Sequence, residues 1–218
     1  MMSPPRARVL DDAGAENLRD HLIAVTARLL AEGGLEGLTT RRIAEAANVA
    51  QGVLYNHFAD KDELLLAALT ARAGTLAGEF DKACPRPGAA TLQGNLTKLA
   101  AATLSLERGL LPLISGLIGN RSLLERFLAE LHSSEIGGPD RILRAIDGYL
   151  AAEQRLGRVS GAADAHIVGV LLFAISQLQA LVVEFRTPGL TPAAAARQLR
   201  PFVAFFAANL TSPERSIN

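Results

Sequence analysis

The 218-residue chain has no tryptophan, one cysteine, two methionines and two tyrosines. The single thiol, Cys84, excludes an internal disulfide and leaves no cysteine cluster for a metal. Net charge is absent too, with 22 Lys and Arg against 22 Asp and Glu, which excludes a generally basic nucleic-acid binder. The first 61 residues hold seven Lys or Arg against eight Asp or Glu, so any DNA contact must come from a local patch. The stretch from Thr39 to Lys61 carries three positive and two negative charges, a thin patch. Met1 to Leu10 has two arginines but no apolar run, so it does not read as a signal peptide. The longest uncharged stretch, Ile167 to Val183, has 17 residues, including Ser176, Gln177 and Gln179. A membrane span needs about 20 predominantly apolar residues. This stretch therefore reads as a buried or interface helix, and no membrane association is expected. Four histidines (His21, His57, His132, His166) are scattered, and no His-Glu-x-x-His, Gly-x-Ser-x-Gly or phosphate-loop pattern occurs. No catalytic residue, metal or cofactor is expected, and the chain reads as a non-enzyme in the cytoplasm.

What is present is aliphatic. Hydrophobic residues make up 49% of the chain, dominated by alanine and leucine, which favour helices. The expected fold is all-α. Apolar residues recur at helical spacing along most of the chain, and no strand alternation or internal repeat emerges. Residues 1–14 read as a flexible tail, 15–60 as a DNA-binding helix-turn-helix domain, 61–84 as a connecting helix and 85–218 as a second helical domain. The boundary rests on Cys84-Pro-Arg-Pro-Gly88, the clearest break in the chain. Within the second domain the spacing predicts a helix ending near Gly109, another around Leu124 to Leu131, and one from Pro139 to Gly157. A long apolar helix follows over 163–185, and a last one starts at Thr191-Pro192 and is kinked by Pro201.

One segment carries function. Thr39 is placed to cap a short helix through Ala47, Asn48-Val49-Ala50 makes a turn, and Gln51 to Phe58 forms a second short helix. Leu54 and Phe58, four apart, can face a core. Gln51, Gly52, Val53, Tyr55, Asn56 and His57 are then left largely outward. Such a surface offers hydrogen bonds to base edges and phosphates, and apolar contact with a thymine methyl. Taken singly, Tyr55 can equally be a packing residue, His57 an exposed histidine without a partner, and Arg42 a solvated charge. Two short helices joined by a three-residue turn and braced on both sides fit the architecture that reads a major groove.

From Gly34 to Leu66 the chain resembles the TetR family of bacterial regulators. The matching features are the glycine turn, paired threonines Thr39 and Thr40, turn valine Val49, the Leu54-Tyr55-x-His57-Phe58 ending and Lys61-x-x-Leu64-Leu65. The resemblance covers roughly residues 17 to 69; beyond it only length and helical layout agree. By position it implies that Thr40 and Arg41 touch phosphate, with Arg41 also within reach of a base. It implies that Gln51, Gly52 and Val53 face bases, and that Tyr55, His57 and Lys61 hold phosphates. Asn56 occupies a variable outward position. The partners implied are double-stranded DNA, a second copy of the chain and a small effector, with repression as the mode. The resemblance places a four-helix dimer seam in the last two long helices. There His166, Gly169, Phe173, Ser176 and Ala180 make a stripe of small and mixed residues, joined by Phe202 and Phe206 of the last helix. An ordinary buried face explains the stripe equally well. Polar candidates for an effector pocket are Ser105, Ser115, Asn120, Arg121, His132, Gln177 and Gln179, and the leucine-rich setting suggests an apolar effector. The alternative is a dimeric helical DNA binder or adaptor without any effector.

Overall fold

A computed structural model describes residues 15–133, 138–187 and 189–211. The expected tail, residues 1–14, lies outside the described residues. Every regular element among them is helical, in the order α1 (Ala15–Gly33), α2 (Thr40–Ala46), a 3-10 turn (Gln51–Val53) running into α3 (Leu54–His57), α4 (Lys61–Ala83), α5 (Leu92–Gly116), α6 (Arg121–Ser133), α7 (Pro139–Arg155), α8 (Ala165–Arg186) and α9 (Pro192–Leu210).

The described residues divide into two compact units, one of residues 15–75 and 112–133, the other of residues 76–111, 138–187 and 189–211. The expected break at Cys84–Gly88 therefore separates two helices but not two units. The last turns of α4 and most of α5, on either side of it, belong to the second unit. The end of α5 and all of α6 cluster with the N-terminal residues, and a polar lock shows why. Asn120 donates from Nδ2 to Asp62 Oδ2 at 3.0 Å while its Oδ1 accepts the Leu123 N–H at 3.1 Å. One side chain thus caps α6 and ties it to the first turn of α4.

In the first unit, helix starts follow local chemistry. Thr39 Oγ1 accepts from the Arg42 N–H at 3.2 Å, the cap expected for α2. Asp60 Oδ1 accepts from the Glu63 N–H at 2.7 Å, and Glu63 Oε2 accepts from the Ala59 N–H at 2.7 Å, a reciprocal cap at the start of α4. Helix α1 stops at Gly33, and Gly34, at φ +66°, takes the left-handed turn that glycine favours. The core of this unit includes Leu22, Val25, Ile43, Ala47, Leu54, Phe58, Leu65 and Phe127. In the second unit, Leu96, Leu99, Ile146, Leu150, Leu172 and Leu199 belong to one buried cluster.

One expectation about a break is corrected. Helix α5 runs through Gly109 and Pro112 to Gly116 rather than stopping near Gly109. A Cβ on Gly109 would lie 2.5 Å from Leu76 Cδ2, so this glycine serves close helix packing instead of termination. Helix α9 runs from Pro192 through Pro201 to Leu210, the extent its spacing predicts.

Candidate nucleic-acid interface

Helix α2, the turn and the Gln51–His57 segment make a helix-turn-helix within the first unit. Asn48 adopts φ 57° in the turn, a left-handed geometry that asparagine tolerates better than most residues. The second helix is shorter than its sequence suggests, a 3-10 turn over Gln51–Val53 and one α turn over Leu54–His57, after which Phe58 is extended. Its apolar anchors turn inward as their spacing requires. Leu54 is 2% and Phe58 3% exposed, and the Arg19 guanidinium stacks 4.8 Å from the Phe58 ring centroid.

The predicted reading residues lie on the other side. Gln51, Gly52 and Asn56 are exposed, Tyr55 is 54% exposed, and Val53 and His57 are half-buried. No neighbouring side chain or backbone of another element lies within 4 Å of a Cβ built on Gly52, so the backbone there is open to close approach. Thr40 and Lys61 are half-buried at the starts of α2 and α4, and Arg41 is exposed. Two hydrogen bonds organise the surface. Gln51 Nε2 donates to Thr40 Oγ1 at 2.8 Å, linking the two helices of the motif. Arg41 Nε donates to Glu45 Oε1 at 2.9 Å, and this contact raises the Arg41 pKa above its ordinary value. Arg41, Glu45, Asn48 and Gln51 line one recess of about 480 Å³. Glu45 and Asn48 were not among the predicted residues. The signal for Glu45 was present, an Arg followed by a Glu four residues on, which face each other on a helix.

The seven polar pocket candidates divide between the two units. Ser115, Asn120, Arg121 and His132 lie in the first unit. There each has local work: Ser115 donates to the Pro112 carbonyl at 3.2 Å, Asn120 caps α6, Arg121 pairs with Glu125 at 2.8 Å, and His132 Nδ1 meets the Leu128 carbonyl at 2.6 Å. In the second unit Gln179 bonds Gln198, Gln177 meets the buried Glu107, and Ser105 lines an open groove of about 410 Å³. That groove is formed by α4 and α5, with Leu76, Phe80, Ala101, Ala102 and Leu106 as its apolar wall and Glu79 and Lys98 as charged lining.

The expected seam stripe is corrected as well. Gly169, Phe173, Ser176 and Ala180 are buried within the second unit, and Phe206 packs against the same core. The notch left by Gly169 admits Asp147, whose Oδ2 meets His166 Nδ1 at 2.8 Å and raises the His166 pKa. The outward apolar face of α8 is a different one, carrying Ile167, Leu171, Leu178 and Phe185, with Phe202 and Phe205 exposed on α9. Sequence could not find it, because α8 is apolar nearly all round, with a mean hydropathy of 2.0 over 18 residues. It is long and apolar enough to cross a membrane, yet six of its residues, among them Leu172 and Phe173, pack in the core.

Residues 22–68 match the profile of "Bacterial regulatory proteins, tetR family". The HTH-type transcriptional repressor KstR2 of Rhodococcus jostii is 34% identical over 106 residues, 49% of each chain. The chain thus spans about half the length of that relative in the alignment. A crystal structure of a TetR-family transcriptional regulator from Mesorhizobium loti superposes with a TM-score of 0.73 at 18% identity, over 90% of this chain and 98% of that one. The transcriptional regulator FadR of Bacillus subtilis, solved with stearoyl-CoA, gives 0.56 at 17% identity, over 84% and 96%. At such identities these structures establish a shared fold.

Proposed function

We propose that the chain, a TetR-family member through its residues 22–68, is a cytoplasmic DNA-binding transcription regulator that represses by occupying a palindromic operator as a homodimer. The observation that carries this reading is the division of one short segment. Leu54 and Phe58 anchor it in the core while Gln51, Gly52, Tyr55 and Asn56 stand outside. Gln51, Gly52 and Val53 then meet base edges, Thr40, Tyr55, His57 and Lys61 hold the backbone on either side, and Arg41 stands within reach of both phosphate and base. Base contacts give discrimination and phosphate contacts give register. Repression is adopted from the relative in Rhodococcus jostii, which is a repressor.

The same reading calls for a second copy. A single short segment reads few base pairs, and a symmetric pair reaches half-sites about one helical turn, ~34 Å, apart. The exposed apolar face of α8 and α9 supplies a surface for that pair, since isolated apolar groups this dense mark interaction sites. The apolar wall of the groove along α4 and α5 suits an apolar effector, and the stearoyl chain of the stearoyl-CoA held by a protein of the same fold is apolar in the same sense. Effector binding would favour one dimer geometry and lower operator affinity by population shift.

Selection of bound duplexes from random DNA tests the reading. It should return a palindrome with half-sites spaced by one turn. Recovery of no enriched sequence refutes it. The alternative, a dimeric DNA binder or adaptor without an effector, is favoured if a panel of fatty-acyl compounds neither raises the melting temperature nor releases the selected duplex.

A further inference from the structure

Glu45 places a negative charge in a surface read as touching DNA. It stands one helical turn after Arg41 and accepts the Arg41 Nε–H at 2.9 Å. Both side chains extend into solvent, 81% and 64% exposed, so packing does not explain their pairing. Both line the recess shared with Asn48 and Gln51. A guanidinium has two bidentate edges, and Glu45 takes a donor from one. The hydrogen bonds of the described residues leave Nη1 and Nη2 of Arg41 without a protein partner, and that edge matches two acceptors in one plane.

The geometry points to Glu45 as a positioning residue that sets sequence discrimination, by holding Arg41 through Nε so that its Nη edge meets a base edge in preference to the phosphate backbone. This rests on the DNA-binding reading of residues 40–61. Attraction between Arg41 and phosphates is Coulombic and independent of sequence, and a carboxylate against the guanidinium cancels much of it. A base-edge contact depends instead on directed hydrogen bonds from the Nη groups, which Glu45 leaves free. Glu45 therefore lowers the sequence-independent part of binding more than the sequence-dependent part. The segment from Thr39 to Lys61 has only one net positive charge, three against two, so neutralising Glu45 doubles it.

The test uses the full chain and two DNA probes, a duplex recovered by selection from a random pool and a scrambled duplex of equal composition. Fluorescence anisotropy over a salt series compares wild type, Glu45→Gln, Arg41→Ala and the double variant. Glu45→Gln should bind the scrambled duplex about threefold tighter or more, with a salt dependence steeper by about 1.8 for the homodimer, one added phosphate contact per protomer. Its preference for the selected duplex should fall about threefold. In the Arg41→Ala background the same substitution should change that preference by less than about 1.5-fold, as a coupled pair requires. An unchanged preference in Glu45→Gln, or an equal change without Arg41, overturns the proposal. A wild-type chain that binds neither duplex overturns the DNA-binding reading itself, which is a separate result. The position is exposed, so the variants should keep the wild-type melting temperature.

Discussion

At the scale of single residues, the outward set divides by what each group can tell apart. Tyr55, 54% exposed beside a buried Leu54, offers one hydroxyl that fits a phosphate, and a phosphate contact has no sequence preference. Tyr55→Ala should weaken all duplexes alike, by about three- to tenfold, the loss of one hydrogen bond. Gln51 has an amide held by Thr40 through Nε2, with Oε1 left to accept. Gln51→Ala should cost on the order of 1–3 kcal/mol at one base position and little elsewhere. A panel of single-base operator variants separates the two patterns; identical profiles for both variants would defeat the assignment. A different residue governs stability. Glu107 is buried on α5, and burial pushes its carboxyl up to about 7 despite a hydrogen bond from Gln177. The folded pKa lies above the unfolded one of 4.5, so the fold retains a proton that the unfolded chain loses. Stability should be full below about pH 4.5 and decline as pH rises through 7, by an amount on the order of 3 kcal/mol. Glu107→Gln should flatten that part of the profile in denaturant titrations at pH 5 and pH 8; an unaltered slope would show that another group is responsible.

At the scale of elements, local signals were legible and packing signals were not. The cap at Thr39, the helix start at Thr191 and the inward pair Leu54 and Phe58 are all chemistry within a few residues, and each lies where its spacing put it. Gly109 was misread because a glycine in a helical pattern looks the same whether it ends the helix or admits a neighbour. Only the position of Leu76, 33 residues earlier, distinguishes them. The local contacts of the polar pocket candidates were illegible for the same reason, since Ser115 and Asn120 satisfy backbone and caps that the pattern cannot anticipate. The glycine contrast can be measured. Gly78, in α4, has no atom within 4 Å of a built Cβ, whereas the Cβ at Gly109 meets Leu76 at 2.5 Å. Gly78→Ala should stabilise by up to about 1 kcal/mol through helix propensity. Gly109→Ala should fall short of that value by about 1–3 kcal/mol from overpacking. Equal shifts in the two denaturation midpoints would show that α5 gives way freely at Leu76.

At the scale of the whole molecule, the question is what covers the apolar face of α8 and α9. Phe185 and Phe205 are 67% and 65% exposed, and Ile167 and Leu178 are also more than half exposed. A soluble chain rarely leaves such a surface bare. On α8 the inward stripe through Gly169, Leu172, Phe173 and Ser176 is already satisfied, so the remaining face of the same helix is available to a second copy. Under the proposed function, a twofold pair would also account for the thin charge of the segment from Thr39 to Lys61. Two modest half-sites joined in one particle act through effective concentration, and overall affinity can exceed that of one half by 10²–10⁴, so neither half needs a strongly basic surface. Leu178→Glu together with Phe205→Glu places charges on exposed positions of that face and leaves the unit's core untouched. The variant should sediment as a monomer, keep its helical circular dichroism, and bind a single half-site duplex as the wild type does. Its affinity for the full palindrome should drop by at least about a hundredfold, because the second half-site no longer adds to the first. A variant that still sediments as a dimer would move the seam to another face, and a monomer with undiminished affinity for the palindrome would remove the need for a pair.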